Sequence, residues 1–127
     1  MRFCPFCEKT RSHELLVENE AAVAFFDASP LSAGHTLVVP RTHESDFFNL
    51  TEAEEMALWR AVRTVHARLE ARFAPRGYNV GINVGRAAGQ TVEHVHVHVI
   101  PRYLGDVADP RGGIRWVIPA KAPYWKD

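Results

Sequence analysis

The run His94-Val95-His96-Val97-His98-Val99-Ile100-Pro101 sets three histidines two residues apart among β-branched neighbours. A segment of this kind is a strand, predicted near residues 93 to 100. Strand side chains leave alternate faces, so the three imidazoles share one side and Val95, Val97 and Val99 share the other. The valines have a core to enter. Imidazoles stacked on the opposite face each keep a donor and an acceptor to satisfy, and they are costly to hold together unless they meet a metal, a phosphate or one another. This face is the candidate active site. A solvated strand that carries histidines by drift and a three-imidazole metal site are the competing readings.

The segment before the run favours the phosphate. Asn83-Val84-Gly85-Arg86-Ala87-Ala88-Gly89-Gln90-Thr91-Val92 is a turn rich in small residues that feeds straight into the histidines. Its glycines permit close backbone approach, Gln90 and Thr91 add uncharged donors, and consecutive N–H groups in such a turn form an anion-binding concavity. On its own the turn reads as a hairpin loop. It gains meaning from its position against the histidines.

Lys plus Arg and Asp plus Glu number fifteen each, with no run of like charge, so there is no basic footprint for nucleic acid. No apolar stretch reaches membrane-spanning length, and the start Met1-Arg2-Phe3-Cys4-Pro5 lacks a signal-peptide core, so the expected address is the cytoplasm. At 127 residues the chain is read as one domain, 1–127, with an N-terminal knuckle over 1–8 and a tail over 106–127. The only cysteines are Cys4 and Cys7. In a reducing compartment that spacing reads as half a zinc site, a redox pair or two unligated thiols, and zinc would need two further donors.

Gly89-Gln90-Thr91-Val92-Glu93-His94-Val95-His96-Val97-His98-Val99-Ile100-Pro101-Arg102 resembles the signature of the histidine triad (HIT) nucleotide hydrolases and transferases. Upstream, Phe25-Phe26-Asp27, Pro30 and Gly34-His35-Thr36-Leu37-Val38-Val39-Pro40-Arg41-Thr42-His43 are similar to that family's nucleoside-binding strands, so the likeness spans most of residues 4 to 105. The resemblance implies a structural zinc on Cys4, Cys7, His43 and His94. It implies His96 as the nucleophile of a nucleotidyl-imidazole intermediate and His98 beside the phosphate. Gln90 and the backbone at Gly89, Thr91 and Val92 would bind phosphate oxygens, with His35 supporting the triad from behind. Asp27 would take the ribose hydroxyls, although from the residues alone it reads as a turn aspartate before Ala28-Ser29-Pro30. Asn83 would be a second polar contact near ribose and phosphate. A homodimer is implied as well.

Thr51 followed by Glu54 is a capping box, and Met56, Trp59, Val62, Val65, Leu69 and Phe73 recur at helical spacing until Pro75-Arg76-Gly77, which predicts a helix near 52 to 73. Strands are expected near 15 to 18, 22 to 26, 36 to 39, 78 to 84 and 93 to 100. The fold is therefore α+β, HIT-like, with an antiparallel sheet of about five strands and one long helix packed on it. The tail from Asp109 to Pro119 contains a short strand-like apolar piece and a glycine pair. Arg111, Arg115 and Trp116 could meet a second nucleotide, but docking of the terminus is the preferred reading. The function expected is cleavage at the α-phosphate of a purine nucleotide such as a diadenosine polyphosphate or phosphoramidate. A nucleotide-binding regulator with incidental hydrolysis is the alternative, and a purely metal-binding or redox protein using Cys4 and Cys7 is the third.

Overall fold

The computed structural model describes residues 3–126. A short helix α1 (Pro5–Thr10) is followed by strands β1 (Val17–Glu18), β2 (Ala22–Phe26) and β3 (Thr36–Pro40). Helix α2 (Glu52–Phe73) and strands β4 (Gly77–Ile82) and β5 (Val97–Arg102) complete the frame. The five strands form one antiparallel sheet in the order β1-β2-β3-β5-β4. No described helix is long and apolar enough to cross a membrane.

The predicted capping box is present: the Glu54 N–H donates to Thr51 Oγ1, and the Thr51 N–H donates back to Glu54 Oε1. The predicted apolar stripe needs correction. The buried face is Ala57, Leu58, Ala61, Val65 and Leu69, whereas Met56 and Trp59 are 55% and 38% exposed. Two alanines lie on the contact face, so the stripe cannot be followed by large side chains alone. Val95, Val97, Val99 and Val38 meet this face in one core cluster with Leu58, Val65 and Leu69. Val23, Phe25, Leu37 and Val39 form a second cluster, on which Phe6 and Leu15 pack.

The histidine strand starts later than predicted. The His94 N–H donates to the Val92 carbonyl and the Val95 N–H to Glu44, so the ladder to β3 and β4 closes only from Val97. Facial alternation nevertheless holds through the run: the Phe6 ring meets both His94 and His96, and the His96 and His98 rings are 5.2 Å apart. β4 likewise stops at Ile82, which leaves Asn83 just beyond the ladder. The N-terminal knuckle is a helical turn whose N-cap is Cys4, with the Cys7 N–H directed at its sulfur; residues 1 and 2 lie outside the described residues. The strand-like piece of the tail is in fact a pair of 3-10 turns, Gly113–Val117 and Pro119–Lys121. Positive φ at Gly112 and Gly113 is incompatible with an extended run.

Candidate active site and metal centre

Each histidine of the run has one ring nitrogen committed to the backbone or to another ring, and that commitment fixes what the other nitrogen can do. A carbonyl can only accept, so the 2.8 Å contact from His94 Nε2 to the Pro40 carbonyl puts the proton on Nε2 and leaves a lone pair on Nδ1. That Nδ1 lies 3.5 Å from Cys4 Sγ and 3.6 Å from Cys7 Sγ, and His43 Nδ1 is 3.2 Å from Cys7 Sγ. The four donor atoms lie within 4.8 Å of one another. Zinc bonds of about 2.3 Å to sulfur and 2.0–2.1 Å to nitrogen set tetrahedral donors roughly 3.3–3.8 Å apart, so the set fits that ion with little adjustment. Burial holds His94 below the usual histidine range, which keeps it neutral as a ligand must be.

His96 repeats the logic with its nitrogens exchanged. Its Nδ1–H donates to the His94 carbonyl at 2.8 Å, so its Nε2 carries the free lone pair. The ring is 6% exposed and packs edge-on against Phe6, 5.0 Å between centroids. Nothing in the sequence reading singled out Phe6. Its place between Cys4 and Cys7 is the available signal.

His98 is set by His35. The Leu31 N–H donates to His35 Nδ1 at 3.0 Å, so the His35 proton sits on Nε2 and donates to His98 Nδ1, also at 3.0 Å. His98 therefore presents Nε2–H as a donor. Burial is the main cause lowering both pKa values, partly opposed by Asp27. Asp27 Oδ1 accepts from the Ser29 N–H, as a turn aspartate does, while Oδ2 stands 3.5 Å from His35 Nε2. Asp27, His35 and His98 are near enough to one another for a metal. The Leu31 donation argues against one, since ligation through His35 Nε2 would move the proton to Nδ1 and set it against that N–H.

The glycine turn has positive φ at Gly85 and Gly89. Gln90 braces it: Oε1 accepts from the Gly85 N–H, and Nε2 donates to the Ser45 and Val92 carbonyls. Both amide protons are engaged, so the structure places Gln90 as the support of the loop rather than as a bare donor to phosphate. Among the described residues, the N–H groups of Thr91 and Val92 have no protein acceptor, whereas those of Ala88, Gly89 and Gln90 bond within the turn. Asn83 is half-buried just before the turn. Arg111 is paired with Asp109, and Arg115 donates to the Ala122 and Lys121 carbonyls, which is the docking role.

The HIT domain family model matches residues 8–105. A HIT family protein from Bacillus anthracis has a solved structure at 38% identity and TM-score 0.74, covering 81% of this chain and 75% of that one. A Zn-bound histidine triad family protein from Mycobacterium smegmatis is 28% identical at TM-score 0.73, over 98% of this chain and 82% of that one. The asymmetrical bis(5'-nucleosyl)-tetraphosphatase of Schizosaccharomyces pombe is 36% identical over 76% of this chain, which spans 53% of its length.

Proposed function

We propose, for a chain that belongs to the HIT domain family, that it cleaves purine nucleotides at the α-phosphate through a covalent intermediate on His96. The observation that carries this reading is the lone pair on His96 Nε2, exposed by the bond from Nδ1–H to the His94 carbonyl. Nε2 attacks phosphorus, a P–N bond forms, and the bond from phosphorus to the leaving oxygen or nitrogen breaks. A phosphate leaving group departs as an anion, and an amine takes its proton from solvent. The ring keeps Nδ1–H, so in the adduct it is a cationic imidazolium and readily displaced. Water then attacks phosphorus, the P–N bond breaks, and the nucleoside monophosphate leaves as the water's proton passes to solvent. His98 Nε2–H and the N–H groups of Thr91 and Val92 would stabilise the phosphoryl oxygens, with Asn83 and Gly89 at the edge of that cradle. Asp27 Oδ2 would accept from the ribose hydroxyls.

Zinc is the metal we assign to Cys4, Cys7, His43 and His94. Four protein donors close the site and leave no position for water, so its part is structural. The balanced charge suits a small anion rather than nucleic acid, and a cytoplasmic homodimer completes the reading. The free edge of β4 and the exposed Val80 and Met56 would supply the dimer contact.

The test is turnover. Wild-type protein incubated with a diadenosine polyphosphate or an adenosine phosphoramidate is expected to release adenosine monophosphate, and rapid quench should trap a nucleotidyl-protein adduct. His96→Asn should lower kcat/KM by about three orders of magnitude or more while nucleotide binding persists. Retention of more than about a tenth of the rate, a loss under roughly 1.4 kcal/mol, removes His96 from the role. Binding without turnover would favour the regulatory reading instead.

A further inference from the structure

Cys4, Cys7 and His43 line an open cavity of about 810 Å³ that also borders Thr91 and Val92. Of the four metal donors only His94 is sealed in the core, at 0% exposure; His43 lies at the surface and both cysteines are half-buried. Full coordination excludes water from a metal held here. It does not shield the two sulfurs from a small solute that enters the cavity.

The sulfurs are also placed to bond to each other. Cys4 caps α1 and Cys7 follows within its first turn, which the Glu8 N–H closes on the Cys4 carbonyl at 3.2 Å. The two Sγ atoms lie within 4.8 Å of one another, and the Cys7 N–H already points at Cys4 Sγ. A disulfide of about 2.05 Å is therefore reached by turning side chains and tightening one helical turn. Zinc keeps both sulfurs as thiolates, the form that attacks a peroxide. Cys7 Sγ attacks one oxygen of hydrogen peroxide, the O–O bond breaks, and a sulfenic acid forms as hydroxide leaves. Cys4 Sγ then attacks the Cys7 sulfur, the S–S bond forms, and a second hydroxide leaves. The thiolates lose two electrons, the peroxide gains them, and two protons from solvent turn the hydroxides into water. The dication is left with two imidazoles and two neutral sulfurs, without a negative ligand, and departs as a hydrated ion.

Phe6 carries the change to the reacting ring. It sits between the two cysteines in sequence, and its ring packs edge-on 5.0 Å from His96 and 6.0 Å from His94. Tightening the turn moves the one ring that stands against both imidazoles from the α1 side. We propose that Cys4 and Cys7 are a peroxide-oxidised pair whose disulfide ejects the metal and displaces Phe6 from His96, switching nucleotide turnover off. This inference rests on the reading above, in which zinc occupies Cys4, Cys7, His43 and His94.

Treating the zinc-loaded protein with a few equivalents of hydrogen peroxide beside a colorimetric zinc indicator tests it, with the products mapped by mass spectrometry. One zinc ion is expected for each Cys4–Cys7 disulfide, with turnover of adenosine 5'-phosphoramidate falling on the order of tenfold or more. A dithiol with added zinc should restore both. His96 Nδ1–H, followed by NMR, should exchange slowly in the loaded protein and fast after oxidation, a readout that needs no turnover. Cys4→His keeps a zinc donor but cannot form the disulfide, and should hold its metal at the dose that empties the wild type. Where Cys4→His is isolated metal-free, the one-to-one ratio in the wild type decides. Zinc retained by oxidised wild type, equal loss from Cys4→His, release without the disulfide, or unchanged turnover and exchange overturns the proposal. Wild type isolated without zinc overturns it together with the metal assignment. Protein that ejects zinc and loosens His96 on oxidation, yet hydrolyses no nucleotide beforehand, removes the reaction and leaves the oxidisable pair standing.

Discussion

His35 faces neither the proposed metal nor the proposed attacking atom, yet it dictates the tautomer of His98. With the Leu31 N–H on Nδ1, His35 can only donate to His98, and His98 can then only present Nε2–H outward. His35→Phe is therefore expected to lower kcat about tenfold or more with KM within about threefold, because His98 is free to turn its bare nitrogen toward the phosphate; an unchanged kcat would show that the orientation does not depend on His35. The two-residue spacing of the run was legible in the sequence, since alternation on a strand is a property of the backbone. Protonation was not. It is set by the carbonyls of Pro40 and His94 and the N–H of Leu31; every residue type carries the carbonyl and every type but proline the N–H.

Among the elements, α2 and the glycine turn behave differently toward substitution. Thr51→Ala removes the cap and should lower stability by about 1 kcal/mol, read as a fall of a few degrees in Tm. Leu58→Ala, fully buried against the sheet, should cost roughly 2–5 kcal/mol. In the turn, Gln90→Ala unties Gly85 from Val92 and Ser45. The expected result is a several-fold rise in KM with kcat little altered, since the cradle loosens but the reacting nitrogens stay. The helix and its cap were readable because capping chemistry is local. Its buried stripe was misread because Ala57 and Ala61, which meet the sheet, look neutral in sequence. The late start of β5 depends on Glu44, far away along the chain, and no local pattern reports that bond.

For the whole molecule, three neutral histidines, His35 and His94 buried and His98 half-buried, tie stability to pH. His35, His94 and His98 have pKa values lowered by burial from 6.5, so below that value the unfolded chain binds more protons than the folded one. Stability is expected to be fully present above about pH 6.5 and to decline as pH falls through it, seen as a dropping Tm between pH 7.5 and 5. A flat Tm over that interval would contradict neutral burial. Metal analysis should find one zinc per chain, and Cys4→Ser should lower Tm, because binding free energy at a closed site becomes folding free energy. His94 carries a further consequence. Its ring faces the sulfurs while its own carbonyl holds His96, so metal occupancy and the pose of the attacking ring are separated by a single residue. A half-loaded preparation would then contain two kinds of molecule rather than one averaged kind. Its progress curves would split into a fast and a slow population whose proportions follow the zinc content.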